Sequence, residues 1–90
     1  MNPIVCVGSE EKGDVLVTLG LQEESQTHQI QIHSPVRSLF KKQQDQVIAE
    51  MVAHYQGSPL FIEISDNHAL DWVLRARLLT AFQMLEHWNG

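Results

Sequence analysis

Residues 7–15 read VGSEEKGDV, and this stretch joins two short apolar runs that we expect to form the first two strands. Glycine adopts backbone angles that other residues avoid, so Gly8 and Gly13 allow the chain to turn sharply here. The residues between them, Ser9 to Lys12, would then lie in solvent. The stretch therefore predicts a tight hairpin loop, formed by Ser9 to Lys12 together with Gly13.

The runs on either side of this loop, and a third run after it, carry strand patterns. We predict strands over Ile4–Val7, over Asp14–Leu19 with Gly20 closing it, and over Thr27–His33, where apolar and polar residues alternate. In the second run Val15, Val17 and Leu19 share one face, with Leu16 and Thr18 on the other. In the third run His28, Ile30 and Ile32 are expected to face the core. Three strands joined by short loops predict an antiparallel meander.

Residues 34–56 carry the pattern of one long amphipathic helix. Ser34 can accept a hydrogen bond from a free backbone amide, and Pro35 fits the first turn because no donor is lost there. Apolar residues then recur at helical spacing opposite a polar face. They are Val36, Phe40, Val47, Ile48, Met51, Val52 and Tyr55. We predict a helix over Pro35–Gln56 whose apolar stripe lies on the sheet.

The last third of the chain predicts a strand and a second helix. The strand covers Leu60–Ile64, and a right-handed crossover would place it parallel to a neighbouring strand. Ser65 or Asp66 can cap the helix, which we expect over His68–His87. Its predicted apolar stripe is Leu70, Val73, Leu74, Leu78, Ala81, Leu85 and Trp88.

The second helix has more apolar surface than one sheet face needs, because Trp72, Leu79, Phe82 and Met84 lie outside that stripe. This surface is either a protein contact or is covered by the sheet and the first helix together. The element order β-β-β-α-β-α predicts an α+β fold, a two-layer α/β sandwich with a mostly antiparallel sheet. Ninety residues support one domain over residues 1–90 but not two cores.

Composition and charge exclude several classes of partner. A net charge of −5, with only Arg37, Lys41 and Lys42 clustered, argues against nucleic acid. No apolar run is long enough to span a membrane, and the N-terminus lacks the pattern of a secretory signal, so we expect a cytoplasmic protein. Cys6 is expected to be a buried structural thiol.

Catalytic and metal-binding motifs are absent from the sequence. The five histidines, which are His28, His33, His54, His68 and His87, do not share a metal-ligand pattern. The pairs Glu10-Glu11 and Glu23-Glu24 fall in predicted loops, where carboxylates stay solvated. Arg75 and Arg77 point apart on the second helix, and we expect Asp71 to pair with Arg75. These features indicate a carrier, adaptor or subunit without an active site of its own.

Three segments of the chain resemble the acyl carrier subunit, the gamma chain, of bacterial citrate lyase. They are residues 8–15 (GSEEKGDV), the run from Gln31-Ile32-His33-Ser34 to Tyr55, and residues 69–78 (ALDWVLRARL). The related acyl carrier subunit of malonate decarboxylase is less similar to the last of these. The resemblance covers about Val7 to Leu79 and implies a non-catalytic subunit of a lyase complex.

The resemblance also implies a cofactor and partners. Members of the family carry a phosphoribosyl-dephospho-CoA arm on a serine directly before Gly-Asp, placed there by a prosthetic-group transferase. Its thioester presents acetyl or citryl groups to transferase and lyase subunits. In this chain Gly13 and Asp14 match the motif, but Lys12 occupies the serine position. A lysine would form a phosphoramidate in place of the serine phosphodiester.

Three interpretations of Lys12 stay open. Ser9 serves as a displaced attachment point, or the chain is an unmodified paralogue, or Lys12 replaced a natural serine. An unmodified paralogue would act as an interaction or assembly protein, with Trp72 and Leu79 of the second helix forming its binding surface.

Overall fold

The structure is a computed structural model that describes residues 3–22 and 24–88. Within these residues the predicted order of elements is confirmed. The strands are β1 (Ile4–Gly8), β2 (Val15–Leu21), β3 (Gln29–His33) and β4 (Leu60–Asp66), and the helices are α1 (Arg37–Ala53) and α2 (Asp71–Glu86). Gly20 lies inside β2 and does not close it.

The four strands form one sheet in the order β1-β2-β4-β3. β1 pairs with β2 and β2 with β4 in antiparallel register, whereas β3 and β4 are parallel. The predicted α+β class, the mostly antiparallel sheet and the parallel crossover are therefore confirmed. The predicted meander is wrong, because β4 lies between β2 and β3. β4 has seven residues and buries every second side chain, so it pairs with a strand on each side in the central position. The shorter and more polar β3 lies at the edge of the sheet.

Both helices contribute to one core on the same face of the sheet. Val15, Val17 and Leu19 of β2, which were predicted to share one face, are fully buried there. α2 packs against β1 and β2 and against α1. The other buried core residues are Val5, Val47, Ile48, Leu60, Ile62, Ile64, Leu74, Leu78, Ala81, Phe82 and Leu85. The helices thus form the second layer of the predicted sandwich.

Several side chains expected in the core are exposed. Ile30 is 45% exposed because β3 is an edge strand that the helices only partly cover. Phe40, Leu70 and Trp88 are exposed at or near helix ends. Cys6 is also exposed, with its Sγ 3.4 Å from Thr18 Oγ1 on the sheet face away from the helices, so the prediction of a buried thiol is wrong.

Neither helix begins with the predicted side-chain cap. Val36 and Leu70 are the N-cap residues of α1 and α2, and neither makes a side-chain cap hydrogen bond. Ser34 Oγ does accept from the Val36 amide at 3.2 Å, but this contact lies before the helix. Phe40 has non-helical angles (φ −118°, ψ 19°), which kink the first turns of α1. Both helices are therefore shorter than predicted.

A buried polar cluster connects the ends of the two parallel strands to the helices. Ser34 Oγ donates to Asp66 Oδ2 at 2.7 Å, and the Ala69 amide donates to Asp66 Oδ1 at 2.9 Å. The buried Gln44 side chain donates to Ser34 Oγ at 3.1 Å and lies 3.4 Å from Asp66 Oδ2. Asp66 thus joins segments that are far apart in sequence, a role different from the helix cap expected of it.

Replacing Asp66 with asparagine is expected to lower the free energy of unfolding by about 1 kcal/mol. The new amide can still accept from Ala69, but its donor group would face the Ser34 hydroxyl and the Gln44 amide. Urea denaturation measures the change. Asp71→Asn is the matched control, because Asp71 is exposed and its loss affects only the α2 N-terminus, by less than about 0.5 kcal/mol. Equal losses in the two variants would contradict this role of Asp66.

Candidate functional site

The loop that connects β1 and β2, residues 8–14, is shaped by two glycines with positive φ. Gly8 has φ +96°, and an added Cβ would overlap the carbonyl oxygen of Val15 and lie 3.2 Å from Arg77 Nε. Gly13 has φ +84°, and nothing lies within 4 Å of where its Cβ would be. Glycine is required at position 8 because the Val15 backbone lies too close for a side chain. At position 13 it is favoured by the positive φ alone.

Asp14 is the centre of the loop's side-chain contacts. Its Oδ1 and Oδ2 accept from Arg77 Nε at 3.0 Å and Arg77 Nη2 at 3.1 Å, a two-point ion pair with α2. Ser9 Oγ donates to Asp14 Oδ2 at 2.8 Å, and the Val15 amide donates to Asp14 Oδ1 at 2.7 Å. The carboxylate therefore holds the loop, the start of β2 and the helix together.

These contacts lower the pKa of Asp14 from its ordinary value of 3.8 to about 2. The Arg77 hydrogen bonds contribute most, followed by the Val15 amide and the Ser9 hydroxyl, because each favours the charged form. Asp14 stays ionised at neutral pH and is too weak a base for general acid-base catalysis. Its role in the loop is structural.

The loop backbone is also attached to Asn67, which follows β4. The Gly13 amide donates to Asn67 O at 2.7 Å, and the Asn67 amide donates to Asp14 O at 3.0 Å. Asn67 Nδ2 donates to Glu10 O at 3.0 Å, while the Asp14 amide donates to Glu11 O at 2.9 Å within the loop. These four bonds give the loop a defined shape.

The two predicted attachment residues, Ser9 and Lys12, occupy different environments. Ser9 is only partly exposed, and its hydroxyl donates to Asp14 and accepts from the Glu11 amide at 3.3 Å. Lys12 is exposed, and its side chain makes no hydrogen bond or ion pair with the residues that the structure describes. The structure therefore brings Ser9 and Asp14 together beside Gly13, and leaves Lys12 projecting from the turn.

Arg77 and Asn67 were not predicted as site residues. The predicted pair between Asp71 and Arg75 is wrong, because Arg75 Nη2 contacts Glu50 Oε2 of α1 at 3.0 Å. Arg77 lies between Leu74 and Leu78 on α2, next to the buried stripe, and this position is the one sequence signal that it faces another element. No local pattern indicates Asn67, since its partners are more than fifty residues away in the chain.

A groove borders the loop on the side of α2. It encloses about 370 Å³ and is lined by Gly13, Asp14, Trp72, Val73, Ala76, Arg77 and Thr80. Trp72 is 69% exposed, and Leu79 and Met84 further along the helix are exposed as well, whereas Phe82 is buried. The wide apolar surface of α2 is thus divided: Phe82 contacts the core, whereas Trp72, Leu79 and Met84 face solvent, and Trp72 also lines the groove beside the loop.

Within residues 3–22 and 24–88, no three His, Cys, Asp or Glu side chains are close enough to bind a metal ion together. His28 has a structural contact: its Nδ1 accepts from the Leu60 amide at 3.0 Å. Glu23, one of the paired carboxylates, lies outside the described residues. None of the helices in the described part has the length and apolarity needed to cross a membrane.

Comparisons with known proteins identify similar carrier proteins. The family model described as "Malonate decarboxylase delta subunit (MdcD)" matches residues 3–85. The citrate lyase acyl carrier protein of Serratia proteamaculans is 38% identical over 74 residues, which cover 82% of this chain and 72% of that protein. That of Streptococcus mutans is 34% identical over the same length and the same shares of both chains.

A solved structure has the same fold. A chain in the crystal structure of a Pseudomonas malonate decarboxylase hetero-tetramer in complex with malonate aligns with a TM-score of 0.73. The alignment covers 91% of this chain and 82% of the other, at 23% identity.

Proposed function

The chain belongs to the family of malonate decarboxylase delta subunits and citrate lyase acyl carrier proteins, and we propose that it is the acyl carrier subunit of a citrate-lyase-type complex. As a carrier it would be a non-catalytic subunit that presents acetyl or citryl groups to the lyase and transferase subunits. We place this complex in the cytoplasm.

The attachment of the β1–β2 loop to both Arg77 and Asn67 is the observation that carries this proposal. A carrier must present one side chain to several enzymes in the same geometry, and a loop fixed at both ends meets that need. The loop stands beside the exposed side chain of Trp72, which a partner can cover.

The family's prosthetic group can attach to this loop only through Ser9. A phosphodiester requires a hydroxyl, and Ser9 is the only residue of the loop that has one. Its hydroxyl is bonded to Asp14 and to the Glu11 amide, whereas the projecting side chain of Lys12 ends in an amine. A phosphoribosyl-dephospho-CoA arm on this chain therefore depends on Ser9, whose hydroxyl would have to leave Asp14.

Co-expression with a citrate lyase prosthetic-group transferase and its precursor tests the phosphodiester arm. We expect an intact-mass increase that is lost in Ser9→Ala and retained in Lys12→Arg. Absence of added mass in the unaltered chain would refute this form of the arm. We expect Ser9→Ala to fold, because it keeps the Arg77–Asp14 pair. Circular dichroism checks that the variant is folded.

An unmodified interaction or assembly protein is the second candidate, and the exposure of Trp72 is the observation that favours it. Trp72→Glu is expected to abolish binding to the transferase and lyase subunits of a citrate lyase, and to change the free energy of unfolding by less than about 0.5 kcal/mol. Met84→Glu on the same helix, outside the groove, is the matched control. Size-exclusion chromatography measures complex formation, and unchanged elution with Trp72→Glu would contradict this surface.

A further inference from the structure

The side chains of Ser9 and Arg77 meet at one atom, Oδ2 of Asp14. The Ser9 hydroxyl donates to this oxygen at 2.8 Å, and Arg77 Nη2 donates to the same oxygen at 3.1 Å. Only one carboxylate oxygen therefore separates the hydroxyl that would carry the arm from a guanidinium on α2.

Part of the Arg77 guanidinium is not used by Asp14. Asp14 accepts from Nε and Nη2, whereas Nη1 has no hydrogen-bond partner within residues 3–22 and 24–88. A guanidinium carries five N–H groups in a planar fork, and its Nη1–Nη2 edge matches two oxygens of a phosphate. Arg77 also lines, together with Asp14, the groove of about 370 Å³ beside α2. A phosphate at this point would have both hydrogen-bond donors and space.

Attachment of an arm to Ser9 would change the charges beside Asp14. The Ser9 O–H bond is replaced by an O–P bond, the leaving group of the activated precursor departs from phosphorus with its electron pair, and the hydroxyl proton is released. Ser9 can then no longer donate to Asp14, and a negatively charged phosphate lies next to a carboxylate that is ionised at neutral pH. Two anions so close repel each other unless a cation binds both. Arg77 is already bonded to one of them.

We propose that Arg77 binds the phosphate through which the arm is attached to Ser9. This inference rests on the proposed carrier function and on its Ser9-linked phosphodiester. The free oxygens of the phosphate lie two bonds beyond Ser9 Oγ, which is enough to bring one of them within hydrogen-bond distance of Nη1 or Nη2. Arg77 keeps its Nε bond to Asp14, so the loop and α2 stay joined. The arm then leaves the loop at the groove that Trp72 borders.

Lys12 is the other cation of the loop and therefore the main competitor for the phosphate. Its side chain is exposed and makes no hydrogen bond or ion pair with the part of the chain that the structure describes. Fixing a mobile lysine costs side-chain entropy, whereas two hydrogen bonds to Asp14 already hold Arg77 in place. The other charged residues of the loop, Glu10 and Glu11, are exposed acids and disfavour an anion whichever cation binds it.

The test uses the full chain with phosphoserine incorporated at position 9, which supplies the phosphate without the transferase. Phosphorus NMR follows its second ionisation, whose ordinary pKa is about 6. We expect the midpoint to lie at least about 0.5 pH units lower in this chain than in the same chain with Arg77→Gln, because a nearby cation favours the dianion. Lys12→Gln and Arg75→Gln, which each remove one positive charge from the loop or from α2, should move the midpoint by less than half as much.

The other outcomes are decisive as well. Equal midpoints with and without Arg77 would overturn the inference, and a larger effect of Lys12→Gln would assign the phosphate to Lys12 instead. The guanidinium N–H signals of Arg77 in the unsubstituted phosphoserine chain give a second readout that does not depend on the folding of Arg77→Gln. These signals should shift with the same midpoint as the phosphate, and signals that do not move would contradict the contact.

This experiment is separate from the test of the carrier function. An Arg77 effect on the phosphoserine, combined with no added mass on co-expression with the transferase, would refute the carrier function and keep the phosphate contact. Added mass on Ser9 combined with equal midpoints would support the carrier function and refute the role of Arg77.

Discussion

Replacing Gly8 with alanine is expected to lower the free energy of unfolding by more than about 3 kcal/mol. The added Cβ would overlap the Val15 carbonyl oxygen and press on the Arg77 side chain, at a backbone angle that L residues rarely adopt. The end of β1 would have to move away from β2, and the Arg77–Asp14 pair would be disturbed. Urea denaturation followed by circular dichroism measures the loss.

Gly13→Ala is the matched control for this substitution. Gly13 also has a positive φ, but its Cβ would point into open space, so only the conformational cost of about 1–2 kcal/mol applies. The difference between the two variants isolates steric overlap from backbone strain. Equal losses would show that the close approach of Gly8 to Val15 does not determine the loop.

Removing the guanidinium in Arg77→Gln is expected to lower the free energy of unfolding by about 1–2 kcal/mol at pH 7. Arg77 is the main cause of the low pKa of Asp14, which is about 2 in the folded chain and 3.8 ordinarily. The pair is partly exposed, with 41% of the Arg77 side chain and 19% of the Asp14 side chain accessible, so water reduces its full electrostatic value.

The pH dependence of the stability loss in Arg77→Gln tests whether the ion pair with Asp14 causes it. Because the pKa of Asp14 is lower in the folded state, its contribution is fully present above about pH 4 and is lost as the pH falls toward 2. The free energy of unfolding of the unaltered chain and of Arg77→Gln is measured between pH 7 and pH 2. The difference between the two values should therefore shrink as the pH falls from about 4 to 2. If this difference in the free energy of unfolding stays constant with pH, the loss of stability in Arg77→Gln comes from packing alone. Arg75→Gln, which breaks the exposed pair with Glu50, should cost less than about 0.5 kcal/mol.

The local elements of this protein follow from its sequence because short-range chemistry decides them. The hairpin at residues 8–14 is predicted from Gly8 and Gly13, since few other residues allow its backbone angles. The buried face of β2 follows from strict alternation, and the parallel placement of β4 follows from the handedness of a crossover through a helix. The helix ends were predicted less accurately, because Ser34 and Asp66 form a hydrogen bond with each other. The local sequence around either residue does not indicate that contact.

The site was only partly predictable, because some of its contacts join residues that are far apart in the sequence. Ser9, Lys12, Gly13 and Asp14 are adjacent in the chain, so the sequence identified them as one loop. The contact that fixes this loop comes from Arg77, which lies 63 residues further along the chain, and no local pattern connects the two segments.

The sequence by itself determined the β-β-β-α-β-α order, the glycine-framed loop and the presence of Lys12 where the family's serine is expected. Only the tertiary structure decided that β4 lies between β2 and β3, that Arg77 holds Asp14, and that Ser9 faces inward while Lys12 faces out. Strand order and ion pairs depend on which distant segments compete for the same position, whereas turns and periodicity depend on neighbours along the chain.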